Sequence, residues 1–392
     1  MKSVRSSESG QAVLLMVVLC TTVLLGFAGL AADVGTLFQA KRLVQTVADS
    51  AAIAGASQLL YSGVTSAART DANLNGMTNG ANGATVAVNN PPLSGPHAGN
   101  PSYVEIIASQ SSPTFFMKIF RFNSVTVSAR AVATLRPGQG CIVTLGTSGT
   151  DISANGVVTA PDCDISANST SSNAMDVTGS SATITASSIG VVGGFNGSIT
   201  PTPTTGVAPV NDPLGYLNPP SGTSCPGGLT YAGTATVSPG LYCSGISIGS
   251  NQNVTFSSGI YLLSGNGLSI GDNSTVTGTG VTLYFFGNSS TISAPSTTTL
   301  NLTAQTSGPY NGILFYQDRS DSASASFGGT SGGMIEGVAY FPDASLSFQG
   351  NSTGTFYVAL VAQSVSLGGN ATLLNYASLN GSSPITAVTL VE

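Results

Sequence analysis

Hydrophobic positions along the 392-residue chain follow three rhythms, and each predicts a different kind of element. From Ala12 to Ala32 they form a run that no charge interrupts. Its 21 residues, at about 1.5 Å each, make a helix of about 31 Å, which matches the hydrocarbon core of a bilayer. The run predicts a transmembrane helix over 12–32, behind a short cytoplasmic tail of residues 1–11. The second rhythm is helical. Leu37, Ala40, Val44, Val47, Ala51 and Ala54 recur at spacings of three and four, which gathers them into one stripe on an extended helix over 33–70. Such a docking stripe must be buried, either on the domain that follows or on a neighbouring subunit's helix. Between 71 and 136 the period shortens to two. "ATVAVNN", "SYVEIIAS" and "NSVTVSARAVATL" read as strands, with "SPTFFMKIF" as a short helix before the last. Together they predict a small α/β membrane-proximal domain, followed by a hinge signal in "RPGQG" at 136–140.

Beyond Cys141 short apolar stubs alternate with Gly, Ser and Asn. A unit of glycine, an apolar residue and nearby aromatics recurs as "GLYC" at 240, "GIYLL" at 259, "GVTLYFF" at 280, "GILFY" at 312, "GVAYF" at 337 and "GTFYVAL" at 354. In several units two further stubs follow, such as "ISIG" at 246 and "VTF" at 254. Three short strands per turn of about 20 residues predict a right-handed parallel β-helix, in which each turn buries its apolar side only by stacking on the next. A β-sandwich over 141–392 is the alternative. The region divides into a first β-rich segment at 137–195, a Pro-rich strap at 196–224 and a β-helix-like domain at 225–392.

Charge narrows the partners. Of ten basic residues only Arg319 lies beyond Arg136, where it faces eleven acidic residues. Nucleic acid is excluded as a partner of that half, because binding it requires Lys and Arg to neutralise phosphates. Lys2 and Arg5 precede the apolar run and Asp33 is the first charge after it, so the N-terminus is expected in the cytoplasm and the remainder outside it. Cys20 lies within the run. Cys141, Cys163, Cys225 and Cys243 are then exported and are expected to form two disulfides. Their number leaves three pairings open. Turn length selects one of them, since Cys141 and Cys163 are 22 residues apart and Cys225 and Cys243 are 18 apart, about one turn each. Stacked strands lie about 4.8 Å apart, within the span of a disulfide.

Candidate chemistry is sparse. Asp318, Arg319 and Asp321 in "YQDRSD", with Glu336 or Asp343 from a following turn, are the only concentrated charges in the β-rich half. Two stacked turns can bring carboxylates to the about 5–9.5 Å that glycoside hydrolysis needs, but Arg319 is expected to neutralise Asp318 and Asp321 in a loop. His97 stands in a loop without metal-ligand companions, and Asp162 and Asp164 beside Cys163 lack the further oxygens a calcium site requires. No phosphate-binding glycine fingerprint is present. The sequence therefore assigns no catalytic, cofactor-binding or metal residue, and predicts a protein that is not an enzyme.

The N-terminal stretch "GQAVLLMVVLCTTVLLGFAGLAADVGTLFQAKRLVQTVADSAAIAGA" resembles the Flp pilus-assembly TadE/TadG-like family. The resemblance rests on Gly10 and Gln11, on Asp33-Val34-Gly35, and on Arg42, Gln45, Asp49 and the Ala-rich run to Ala56. "FFMKIFRFNSVTVSARAVATL" is similar to the end of the membrane-proximal domain in TadG-like proteins. The resemblance implies a membrane-anchored structural protein of the bacterial cell envelope, acting in tight-adherence pilus assembly or surface adhesion. It implies a single pass of the inner membrane, a periplasmic or extracellular C-terminal region, and other Tad pilus or envelope proteins as partners through the N-terminal helix. The chain departs from pilins at Leu15, five past Gly10, where they carry Glu, so the whole anchor is expected to be retained. The alternative is a surface β-helix that binds or hydrolyses polysaccharide, with a surface glycan as partner.

Overall fold

The computed structural model describes residues 8–221, 229–328, 333–350, 355–377 and 383–392. It contains two compact units, residues 1–136 with 387–392, and residues 137–386.

The first unit is built on helix α1, Glu8–Ala56, which is continuous from the apolar run into the stripe. Residues from Ala12 to Ala56 are long and apolar enough to cross a membrane. The apolar run is exposed, with Leu19 and Phe27 about two-thirds accessible. Further along, Val44, Val47, Ala48, Ala51, Ala52 and Ala56 are fully buried. They pack on a sheet of β1 (Ala84–Asn89), β2 (Tyr103–Pro113) and β3 (Ser124–Pro137), whose inward residues include Val86, Val104, Ile106 and Ala131. Neighbouring strands are antiparallel, with Val86 opposite Ala108 and Ile106 opposite Ala131.

The helix expected over 33–70 is corrected. α1 stops at Ala56, residues 57–63 turn, and α2 covers Val64–Leu74. Gly63, at φ +125°, an angle open mainly to glycine, marks the restart. The turn lets Ala68 and Ala72 of α2 join the same buried cluster as the Ala-rich end of α1, where small side chains permit close approach. The short helix expected at 112–120 contracts to one 3₁₀ turn, Met117–Phe120. The strand Thr386–Leu390 adds to the sheet beside β3, and the backbone amide of Val391 donates to the carbonyl of Val132 at 2.8 Å.

The second unit is a parallel β-helix of about ten turns. Ile246 stacks beside Leu268 and Leu268 beside Ile292, while Val254, Val276 and Leu300 form a second inward column. A turn is typically 22 residues, as from Thr255 to Thr277, whose hydroxyls hydrogen-bond across the outer face at 3.0 Å. Inside, aromatic rings follow one another in edge-on contact, with Phe327 to Phe348 at 5.7 Å and Phe348 to Phe356 at 5.2 Å. No turn has a core of its own. Its apolar side chains leave water only because a neighbour lies above or below.

The stacking order departs from the chain order. Leu360, Val361 and Ala362 pair in parallel with Ile142, Val143 and Thr144, and Val365 pairs with Ile152. The first β-rich segment therefore continues the stack beyond the last turns of the C-terminal segment, and the two expected β regions form one solenoid. The chain enters at its middle, winds to one end near Thr205, crosses to the other end, and winds back to the middle by Leu374. The Pro-rich strap expected over 196–224 is corrected at its start, because Ile199–Thr200 and Thr204–Thr205 pair in parallel with strand Thr183–Val191; its described residues 206–221 lie along the crossing.

Candidate functional site

In the first unit the key position is where the exposed part of α1 meets the domain. Asp33 is fully buried there, and its carboxylate accepts the backbone amides of Phe115, Phe116 and Met117 at 2.8, 2.9 and 2.7 Å. Three convergent N–H donors fix the loop to the helix and leave the charge well solvated by protein. The loop closes at its base, where the Thr114 amide donates to the Asn123 carbonyl at 3.2 Å and the Thr114 hydroxyl to the Phe122 carbonyl. Beside it a shallow groove is lined by Val34, Leu37, Phe38 and Lys41 of α1 and by Val125–Ser128 of β3. The Lys41 ammonium donates to the Ser128 carbonyl at its rim.

The structure distributes the expected stripe unevenly. Val44, Val47 and Ala51 are fully buried, Leu37 and Ala40 are half-buried against the same cluster, and Ala54 lies outside it. Ala54 is corrected because α2 and β2 approach α1 around Ala52 and Gly55, one step round the helix. Sequence reading also missed Glu105, a fully buried carboxylate on β2. It accepts from Arg130 Nε at 2.6 Å, Asn89 Nδ2 at 2.8 Å, Ser94 Oγ at 2.9 Å and the Leu93 amide at 3.1 Å. Burial alone would raise its pKa, but these donors hold it down to about 2. Its role is structural, since every donor is already part of the fold.

In the solenoid the charged residues meet the strap. Tyr284, Tyr316 and Tyr340 stand in a column on the outer face, with ring centroids 5.3 and 5.1 Å apart. Leu214 and Leu217 of the strap cover that column and are buried with it. The hydroxyls anchor the strap: Tyr316 donates to the Leu217 carbonyl at 3.0 Å, Tyr310 to the Asn218 carbonyl at 2.9 Å, and Tyr340 to Asp212 Oδ2 at 2.6 Å. Burial pushes the Tyr316 phenol up to about 12, and Tyr284 and Tyr340 are raised further by burial and by their carboxylate acceptors.

Arg319 is the cationic clamp of this face, and its expected partners are corrected. It does not pair with Asp318 or Asp321. Nη2 donates to the carbonyls of Leu214 and Leu217 at 2.7 and 3.1 Å, Nε donates to the Tyr340 hydroxyl at 2.8 Å, and Asp212 lies 3.6 Å away. The guanidinium also sits 5.5 Å from the Tyr340 ring centroid. Asp318 instead accepts from Tyr284 and Ser320, bonds that outweigh its partial burial and keep its carboxyl below the ordinary range. Asp321 is fully buried and accepts the amides of Ser290 and Ala323.

The other candidates are dispersed. Glu336 is half-buried and its pKa is raised by burial, while Asp343 is exposed. His97 stacks on Tyr103 with ring centroids 4.0 Å apart. Asp164 accepts from Ser188 Oγ at 2.6 Å. Among the described residues no group of three or more potential metal ligands occurs. Cys141 and Cys163 form a disulfide across adjacent turns, with Cα atoms 5.3 Å apart. Cys243 is also disulfide-bonded, and Cys225, its expected partner, lies outside the described residues.

Comparison with known families adds two matches. Residues 10–58 match the family described as putative Flp pilus-assembly TadE/G-like, which places that family's segment on α1 from the exposed run through the buried stripe. Residues 219–380 match a family described as a domain of unknown function (DUF7305), which covers the C-terminal turns of the solenoid. No curated protein and no solved structure matches the chain.

Proposed function

We propose that this is a structural, non-catalytic protein of the bacterial cell envelope. In this reading α1 anchors it in the inner membrane, and it serves Flp/Tad pilus assembly or surface adhesion. The carrying observation is a single helix with two characters on a TadE/G-like segment. One half is apolar and exposed, and the other is buried against its own domain. A pilus-associated, membrane-anchored protein fits both. The finer reading is that residues 12–32 cross once, with Lys2 and Arg5 holding the N-terminus inside, and that the solenoid stands outside as a stiff element. A covalent link across adjacent turns, Cys141–Cys163, and a strap along one face suit such a role. Two of the carboxylates considered for hydrolysis of a polysaccharide serve the fold instead: Asp321 is buried and accepts the amides of Ser290 and Ala323, and Asp318 accepts from Tyr284 and Ser320.

Alkaline extraction of membranes combined with protease shaving of intact spheroplasts tests the reading. The chain is expected to stay in the membrane pellet, with the solenoid cleavable from outside. Recovery of a soluble chain beginning near Ala32, or protection of the solenoid in spheroplasts, would overturn it.

A further inference from the structure

The loop that Asp33 holds has an unusual surface. Phe115, Phe116, Ile119, Phe120 and Phe122 are exposed by 63, 46, 78, 75 and 58%. Lys118 and Arg121 stand among them, also exposed, and the stretch from Phe115 to Phe122 has no acidic residue. Five accessible large apolar side chains on eight consecutive residues are a heavy exposure for a soluble surface. The 3₁₀ turn Met117–Phe120 and the left-handed Arg121 fold the loop into a compact tip.

Its position says what covers it. The Phe116 ring lies on Gly29, in the space a side chain there would fill, with ring atoms 2.5 and 2.8 Å from the site of a β-carbon. Gly29 belongs to the last turn of the predicted span, and Asp33 one turn later clamps the loop backbone. The loop is therefore tied to the level at which α1 leaves the hydrocarbon. Aromatic side chains mixed with Lys and Arg are the composition that settles at the boundary of acyl chains and headgroups.

We propose that the loop Phe115–Phe122 is a second membrane contact: a foot that inserts its apolar side chains into the outer leaflet beside α1 and sets Lys118 and Arg121 against anionic lipid headgroups. The occupant is the bilayer itself. The foot prevents the domain from swinging about a lone helix, so the direction in which the domain projects from the membrane is set by two contacts. The inference rests on the membrane anchoring proposed above.

The chain contains no tryptophan, so single substitutions provide clean reporters. The full-length protein is reconstituted in phosphatidylethanolamine–phosphatidylglycerol vesicles that carry nitroxide-labelled lipids. Phe120→Trp reports on the foot. Leu19→Trp reports on the span, and Leu93→Trp, exposed by the far end of β2, is the water-facing control. The expected result is that shallow nitroxides quench the Phe120→Trp reporter about twofold or more while leaving Leu93→Trp unaffected, and that deep nitroxides quench Leu19→Trp. Quenching at the foot should weaken when phosphatidylglycerol is replaced by phosphatidylcholine, which removes net negative charge, and equal quenching would overturn the contact with anionic headgroups. Equal behaviour of Phe120→Trp and Leu93→Trp, with Leu19→Trp still quenched, would overturn the foot and leave the anchor standing. No quenching at Leu19→Trp would overturn the anchor. A blue shift at Phe120→Trp without lipid quenching would show protein covering the loop, and would also overturn the proposal.

Discussion

Gly156→Ala is the sharpest test of how the solenoid is threaded. Gly156 sits at a corner where the first β-rich segment lies on the C-terminal turns, and its backbone faces that of Gly369. A β-carbon at 156 would overlap the Gly369 carbonyl oxygen and lie 2.5 Å from the carbonyl carbon and 3.1 Å from the Cα. The obstacle is backbone on both sides, so no rotamer relieves it, and the turns must separate by about 1 Å. Two hydrogen bonds bracket the contact, Asn155 N to the Leu367 carbonyl at 3.2 Å and Val157 N to Asn370 Oδ1 at 3.0 Å. Overpacking costs about 1–3 kcal/mol and each stretched bond about 1 kcal/mol. The loss of unfolded-chain freedom returns about 0.4–1 kcal/mol, leaving a net destabilisation of about 3 kcal/mol. Gly149→Ala is the control: its β-carbon meets nothing within 4 Å, so only its left-handed backbone, φ +79°, costs about 1–2 kcal/mol, less the same return of about 0.4–1 kcal/mol. Urea unfolding of the full chain in detergent measures the difference, and amide exchange locates it. Protection should fall together at Asn155–Val157 and at Leu367–Ala371, segments far apart in sequence. A penalty no larger than that of Gly149→Ala, or faster exchange confined to one of the two segments, would refute the threading.

Three further expectations concern single groups. Arg319→Leu withdraws donors from the Leu214 and Leu217 carbonyls, and should loosen the strap by about 2 kcal/mol. Limited proteolysis between 206 and 221 should then be at least about tenfold faster, and an unchanged cleavage pattern would contradict the clamp. Because the Glu105 pKa is depressed to about 2 from an ordinary 4.5, its contribution is complete above pH 4.5 and is lost as pH falls towards 2. Urea titrations of the first unit at pH 6 and pH 3 should show that loss, and Glu105→Gln should remove that pH dependence. Ala51→Glu places an unpaired carboxylate in a sealed contact and should cost several kcal/mol, whereas Ala54→Glu should cost under about 1 kcal/mol. Equal melting temperatures for the two variants would show that the buried face is assigned wrongly.

The sequence by itself determined the repeating parts of this protein. An uncharged run of bilayer length, a 3–4 stripe and a glycine–aromatic repeat of about 20 residues are local patterns, and local patterns specify elements. The turn length was enough to pair Cys141 with Cys163, because residues one turn apart in a solenoid are necessarily neighbours. What a repeat leaves open is which turn lies on which. Every turn presents the same in-and-out alternation and the same unpaired strand edges, so Ile142 finds in Leu360 as good a neighbour as it finds in Ile165. Only the tertiary structure decides, through contacts that are not periodic: the backbone approach of Gly156 to Gly369, the strap residues Leu214 and Leu217 on the tyrosine column, and Arg319 turned towards strap carbonyls instead of its sequence neighbours. Likewise, Asp33 reads in sequence as the first charge after a membrane run. Its three amide donors come from residues more than eighty positions away, and no local pattern carries that separation.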